Sequence, residues 1–423
     1  MLLSFRFANH RSFRDEQQLN LTPVYGDDGN PTRADAPSAV PVVGIFGANA
    51  SGKSNVVNAL SYASDMVGRS DRDSEPGRGT RRLPFRLDPA VAAEPSSYAV
   101  DLLVDGVRTT YGFSLDDTQI LEEWLYSYPL RRRRVVFERN REEFNWGEES
   151  RRSDVRKLTD IVAPTALFLS VAARFDSRSD GGRDETAELL HSVFTWLWQR
   201  VSRDVHLLRY RDRNTSYVRW LEDPALRTSI VELLHGADVG LLDVFAKQPA
   251  SNEGGFILDK GSVHFRHAGA VDDVLFDVDE ESSGTLRLLE LTARAVPVLN
   301  EGGLFLVDEI DASLHPLLTA SLVNLFQSSR ASERGAQLMF TTHDATLLGS
   351  IDGEDVLRRD QVWFTSKRED GSSELFPLAE FKPRRQGENR QKRYLNGSYG
   401  AVPELSMRLF EQAVTSRTDA GAE

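Results

Sequence analysis

The sequence predicts an α/β fold, and three apolar runs that end in reactive side chains are what predict it. Val42-Val43-Gly44-Ile45-Phe46 leads into Gly47-Ala48-Asn49-Ala50-Ser51-Gly52-Lys53-Ser54, Gly303-Leu304-Phe305-Leu306-Val307 into Asp308-Glu309, and Gln337-Leu338-Met339-Phe340-Thr341 into Thr342-His343-Asp344. Short apolar runs of this kind suit strands buried on both faces of a parallel sheet, and such sheets bind ligands at the carboxyl ends of their strands.

The first run breaks at Gly47 into G-x-x-x-x-G-K-S and continues into Asn55-Val56-Val57-Asn58-Ala59-Leu60, which reads as a helix. Strand, glycine loop and helix together make a phosphate-binding P-loop. The glycines let backbone N–H groups face phosphate oxygens, and the helix N-terminus adds partial positive charge. Lys53 would reach the β- and γ-phosphates, and the Ser54 hydroxyl would ligate Mg²⁺. Gly47, Asn49, Ser51, Gly52 and Asn55 complete the expected nucleotide-binding set.

Composition bounds the rest. At 423 residues the chain has length for two or three domains, with charged and apolar fractions of 27% and 40% that are ordinary for globular proteins. No run approaches the length of a membrane helix, and the N-terminus lacks a signal-peptide pattern. There is no cysteine, which excludes disulfides and thiolate metal sites and fits a cytoplasmic setting. A net charge of −13 speaks against a surface that coats nucleic acid, although local basic patches remain.

Along the chain, Leu2 to Phe7 alternates as a strand and Gln17 to Leu21 returns. A Gly/Asp/Pro-rich loop from Gly26 to Ala39 precedes the P-loop strand, and a charged loop from Arg69 to Arg82 follows its helix. Tyr98–Val104 and Arg108–Leu115 flank Asp105-Gly106, a hairpin signal, and Glu122–Tyr126 adds a third strand. The run Arg131 to Arg134 opens the most charged part. From 151 to 250 the pattern is helical, as in Thr186 to Val201 and Pro224 to Leu234. Strands are expected again at Phe256–Leu258, Val263–Phe265 and Val274–Val278, and a helix opens after Glu281-Ser282-Ser283-Gly284-Thr285. The expected organisation is therefore an N-terminal half (1–150), a helical insertion (151–250) and a C-terminal half (251–423).

The carboxyl ends of the three runs carry what phosphoryl transfer needs. Asp308 would hold Mg²⁺, Glu309 would polarise the attacking water, and His343 would sense or stabilise the γ-phosphate. Positioning and charge neutralisation supply most of that catalysis, so few groups suffice.

The motifs, in this order, resemble those of the ABC-type ATPase heads, which include the SMC, RecF and OLD-family proteins. The opening Phe7-Ala8-Asn9-His10-Arg11-Ser12-Phe13 is similar to the N-terminal edge of RecF- and SMC-like heads. Glu281–Thr285, Asp308–Pro316 and Tyr394–Pro403 look closer to the RloA/AbiL-like group of bacterial AAA-type ATPases, related to ATPase subunits of the PARIS and Septu phage-defence systems. The resemblance implies a P-loop NTPase of ABC-head architecture, with a mixed sheet, an N-terminal antiparallel β part and an inserted helical subdomain. It further implies a composite site in which Ser282, Ser283 and Gly284 contact the γ-phosphate bound by a second copy. Asp311 would lie in the loop crossing that interface, Glu309 would be the catalytic carboxylate and His343 the switch histidine. Ser283 and Thr285 depart from the transporter signature, and no Q-loop glutamine is assigned.

The function so implied is a Mg²⁺-dependent ATPase with ATP-coupled homodimerisation or higher self-association. It would act as the sensor or scaffold of an abortive-infection type antiphage system with a separate, nuclease-like effector. Fewer than a hundred residues follow His343 and no acidic cluster among them suggests a second metal site. The alternative is a RecF-like repair ATPase on duplex DNA, with Lys382, Arg384, Arg385, Arg390, Lys392, Arg393 and Arg131 to Arg134 as phosphate contacts.

Overall fold

In a computed structural model, residues 1–25, 38–74, 79–174, 184–204, 217–237, 240–247, 262–269, 274–382 and 388–402 are described. The chain opens with β1 (Leu2–Ala8), β2 (Gln17–Asn20), the P-loop strand β3 (Val42–Gly47), α1 (Lys53–Arg69) and the short α2 (Pro89–Ala93). Five strands follow: β4 (Ser96–Val104), β5 (Val107–Leu115), β6 (Ile120–Ser127), β7 (Arg134–Asn140) and β8 (Glu143–Trp146). The middle holds α3 (Phe168–Ala172), α4 (Glu185–Phe194), β9 (Val201–Arg203), α5 (Pro224–Gly236), β10 (Leu241–Lys247), β11 (Ser262–His267) and β12 (Phe276–Asp277). Next come α6 (Ser283–Glu301), β13 (Gly303–Val307), α7 (Pro316–Gln327), α8 (Ser329–Arg334) and β14 (Ala336–Thr341). The chain closes with β15 (Ser350–Ile351), β16 (Glu354–Asp355), β17 (Val362–Lys367), β18 (Ser373–Pro377) and α9 (Arg390–Leu395).

Two large sheets organise these elements. One is antiparallel, ordered β2-β1-β4-β5-β6-β7-β8; the other is mixed, ordered β18-β17-β3-β14-β13-β9, with β18 its antiparallel edge. This is the α/β class expected, with both the mixed sheet and the antiparallel N-terminal part. The central strands are apolar on both faces because both faces are covered. Val43 and Ile45 of β3 join Leu304 and Leu306 of β13 in a core shared with α1 and the antiparallel sheet. Val42 and Phe46 join Phe305 and Val307 in a second core against α6 and α7.

The stretch 151–250 divides between these cores and a third. Val155, Leu167–Leu169, Leu190 and Leu197 lie in the first core, and β9 is the edge strand beside β13. Tyr217, Ile230, Leu234 and Val244 pack instead on Leu288, Leu289 and Ala293 of α6, with β10-β11-β12 as a small sheet of their own. Expected helix 186–201 is α4 followed by a π-helical turn, Thr195–Gln199, before the chain becomes strand. The strand expected at Phe256–Leu258, the residues Arg384 and Arg385, Pro403, and most of the loop 26–39 lie outside the described residues. No described helix is long and apolar enough to cross a membrane.

Buried polar groups tie the antiparallel sheet to the helices packed on it. Glu123 of β6 accepts from Tyr111 Oη and from the N–H groups of Phe168 and Leu169, with Arg139 beside it at 3.4 Å. His10, fully buried after β1, makes 2.7 Å and 3.0 Å hydrogen bonds to Tyr98 Oη and Asn58 Oδ1. The amide oxygen only accepts, so Nε2 carries the proton and Nδ1 accepts from Tyr98. Burial lowers the pKa of His10 from 6.5 to about 4, the hydrogen bond to Asn58 opposing it. The unfolded chain therefore binds the extra proton, and stability is lost as pH falls from 6.5 towards about 4. The contribution at stake is about 3 kcal/mol. In urea titrations across that range, a His10→Gln variant is expected to lose this part of the acid slope that the parent shows.

Candidate functional site

Register brings the three reactive strand ends to one edge. Thr341 pairs with Ile45 on one side, and Val307 pairs with Phe340 on the other. Two further bonds close the corner: Ile310 N donates to Thr341 O at 3.0 Å, and Thr342 N to Ile45 O at 3.1 Å. Gly47, Asp308, Glu309 and His343 consequently stand together, as the sequence order alone suggested.

The loop after β3 is closely fitted. A Cβ on Gly47 would lie 2.5 Å from the Thr365 carbonyl oxygen, and one on Gly52, at φ 113°, 2.6 Å from Ser373 Oγ. Only glycine fits either position. The Ser51 hydroxyl bonds Thr365 Oγ1 at 2.6 Å, and Asn55 Nδ2 donates to Ser12 Oγ at 2.7 Å. These two side chains brace the loop against β17 and the N-terminal turn. Ser12, in turn, bonds Ser373 Oγ at 2.8 Å. The motif that opens the chain thus buttresses the P-loop, a part no spacing in the sequence revealed.

Lys53 lies in the bowl of the loop. Its Nζ donates to the carbonyls of Gly47 and Ala48, both at 2.9 Å, and stands 3.3 Å from His343 Nδ1. An ammonium group only donates, so His343 Nδ1 accepts and Nε2 bears the hydrogen. Nε2 lies 3.6 Å from Glu309 Oε1. Burial lowers the Lys53 pKa, against the opposing charges of Asp308, Glu309 and Asp311. Ser54 is exposed on the first turn of α1.

Asp308 and Glu309 are set by Thr341. Its Oγ1 donates to Asp308 Oδ1 at 2.6 Å and accepts from Glu309 N at 2.8 Å. Glu309 takes φ 51°, uncommon for a residue with a side chain, and its carboxylate is exposed. Asp311 Oδ1 accepts from His343 N at 3.4 Å, which ties the loop after β13 to the histidine. One Asp308 oxygen is committed to Thr341. Its other oxygen, together with the Ser54 hydroxyl, fits Mg²⁺, which takes one or two carboxylates and otherwise relies on substrate phosphates and water.

Ser282 to Gly284 take no part in this cluster's hydrogen bonding. Ser282 caps α6, accepting from Thr285 N at 3.0 Å, and both serines are exposed. A Cβ on Gly284 would lie 3.0 Å from Ser313 O, so the helix start sits against the loop after Asp311.

Arg287 and Asp204 were not singled out by any sequence motif. Arg287, one turn into α6, donates to Asp204 Oδ1 at 2.8 Å and reaches the Asp308 and Glu309 carbonyls at 3.3 Å each. Both side chains are almost wholly buried, 2% and 5% exposed. The pair fixes α6 against the end of β13. Of the basic residues of the DNA reading, Arg390 is buried and donates to Leu357 O, Arg393 pairs with Glu388 and Arg134 with Glu149. Arg131, Arg132 and Arg133 are exposed.

A family model described as "AAA domain, putative AbiEii toxin, Type IV TA system" matches residues 42–349. The chain belongs to this family. Its AAA domain thus begins at β3 and takes in every reactive group above. A comparison with curated proteins gives no match. Among solved structures, the chain is similar to an SMC head bound to the C-terminal winged-helix domain of ScpA, at 13% identity and TM-score 0.46, covering 90% of this chain and 99% of that one. It is also similar to the SMC head domain from Thermotoga maritima (14%, TM-score 0.38, 89% and 98% covered) and to the Pyrococcus furiosus SMC head bound to the C-terminal domain of ScpA (13%, TM-score 0.44, 90% and 97%).

Within the AAA domain, Asp204→Ala or Arg287→Ala alone would strand a buried charge and is expected to cost about 3–5 kcal/mol. The double variant should cost clearly less than the sum of the two, as measured by denaturant unfolding.

Proposed function

We propose that this AAA domain is a Mg²⁺-dependent ATPase in which two copies close over ATP. The observation that carries the reading is the split of its parts. Lys53, Asp308, Glu309 and His343 cluster at one strand edge, whereas Ser282 and Ser283 are exposed and hydrogen-bond only within their own helix start. Two exposed serines at a helix N-terminus suit an anion brought by another molecule, and the γ-phosphate on a second copy's P-loop is that anion.

In this reading Lys53 exchanges its loop carbonyls for β- and γ-phosphate oxygens. Glu309 accepts a hydrogen bond from the attacking water and orients it in line, while His343 Nε2–H donates to a γ-phosphate oxygen. Bound at Asp308 and Ser54, Mg²⁺ would supply charge neutralisation on the phosphates. Asp311, which holds the His343 backbone, would lie at the closing interface. Hydrolysis would then release the two copies.

The biological reading is abortive-infection type antiphage defence in the cytoplasm, with a separate effector that the ATP state holds or frees. The family description, with its AbiEii toxin and toxin–antitoxin system, supports this direction. Burial of Arg390 and pairing of Arg393 and Arg134 take three phosphate contacts from the repair alternative, whereas Arg131 to Arg133, Lys382 and Lys392 stay exposed.

Glu309→Gln is expected to bind ATP with parental affinity, hydrolyse it about 10²–10⁴-fold more slowly, and persist as a dimer in sedimentation runs with ATP. Hydrolysis near the parental rate would remove Glu309 from its role. Lys53→Ala should lose ATP binding in a fluorescent-nucleotide titration; unchanged affinity would count against the P-loop assignment.

A further inference from the structure

The residue just before the exposed serines is held from outside the mixed sheet. Glu281 has a side chain only 4% exposed, and its Oε1 meets Nε2 of His267 at the end of β11. The His267 ring is itself fixed, standing edge-on to Phe276 of β12 with centroids 5.3 Å apart and planes at 89°. Phe276 pairs in register with Phe265, and His264 Nδ1 lies 2.9 Å from Asp277 Oδ1 at the next position. From Phe276 to Glu281 the lead-in to the serines is thus fastened to β11. A single turn, Val278–Glu280, separates its two fastenings.

The other restraints on Ser282 and Ser283 act from behind. The cap bond to Thr285 N fixes the helix start relative to α6, and Gly284 lies so near the loop after Asp311 that an added Cβ would stand 3.0 Å from Ser313 O. Neither fixes the direction in which the extended residues Glu281 and Ser282 enter the helix. The His267–Glu281 pair acts on that lead-in from the small sheet β10-β11-β12, beside the local capping box in which Glu280 Oε2 accepts from Asp277 N at 2.9 Å. That sheet packs with α5 on Leu288, Leu289 and Ala293 of α6, whereas Leu291, Ala295 and Val298 on the same helix face the central sheet. A displacement of the small sheet would therefore be felt at the serines through Glu281.

We infer that His267 is a positioning residue for the composite ATP site, acting through Glu281 to aim Ser282 and Ser283 at the nucleotide of the second copy. The small sheet then governs closure in trans while leaving ATP binding on the same copy's P-loop untouched. The inference rests on the two-copy reading above and deepens it, because it names the element through which closure is controlled.

The test uses the full chain carrying Glu309→Gln, with His267→Ala or His267→Gln added. ATP affinity is read with a fluorescent analogue and ATP-dependent dimerisation by sedimentation. Glutamine keeps a donor for Glu281 without the imidazole. The expected result is that His267→Ala binds ATP like its parent yet dimerises at least about tenfold more weakly. His267→Gln should restore most of the loss. Parental dimerisation by His267→Ala overturns the inference, as does failure of His267→Gln to rescue, or loss of ATP affinity alongside dimerisation. A Glu309→Gln parent that stays monomeric with ATP is a separate outcome: it sinks the two-copy reading itself, and the inference with it.

Discussion

The side chain of Thr341 stands where three parallel strands end, and the geometry of the candidate site depends on it. One hydroxyl bonds the Asp308 carboxylate and the Glu309 amide, while the same residue's carbonyl accepts from Ile310 N. One oxygen of the Asp308 carboxylate is held here. Glu309 is turned into its left-handed conformation with its carboxylate outward, and two residues on His343 is carried back over Lys53. The register of β14 between β3 and β13 is what puts Thr341 there, and a slip of one residue would send the hydroxyl to the opposite face.

That ladder also explains which parts of the site were legible in the sequence. The three apolar runs are buried on both faces, so their pattern is nearly continuous and their ends are abrupt; Gly47, Asp308 and His343 sit at those ends. The antiparallel strands β4 and β5 announced themselves through Asp105-Gly106, and both Asp105 at φ 48° and Gly106 at φ 79° occupy the backbone region that such a turn requires. Nothing in the sequence marks the role of Thr341, because that role depends on a neighbour across the sheet. Ser12, Asp204 and Arg287 were hidden for the same reason: their partners are 43, 83 and 21 or 22 positions away in sequence. The stretch 151–250 looked uniform because its helices share one periodicity, yet α4 and α5 pack into different cores, and periodicity carries no information about which core a helix joins.

The buried Asp204–Arg287 pair grips α6 one turn into the helix, and the His267–Glu281 pair grips the residue just before its N-cap. The first fastens α6 to β9 and to the end of β13; the second fastens its entrance to the small sheet. In the proposed reading, the exposed serines at its start would report the relation between the small sheet and the mixed sheet. Such coupling through packed elements with few, specific polar ties is the physical form a nucleotide-dependent switch takes. It also suits a protein whose output is the state of an assembly, since closing over a shared ATP converts occupancy of the P-loop into contact between copies.

The central claim is that the ATP site is shared between two copies, and mixing inactive variants tests it most directly. One chain carries Lys53→Ala and the other Ser283→Arg, each abolishing hydrolysis alone. In a mixed dimer one complete site remains, formed by the intact P-loop of one copy and the intact serines of the other. Hydrolysis should therefore reappear when the two proteins are combined with ATP. A mixture as inactive as its components would contradict the account, because a site contained within one chain cannot be repaired by a second.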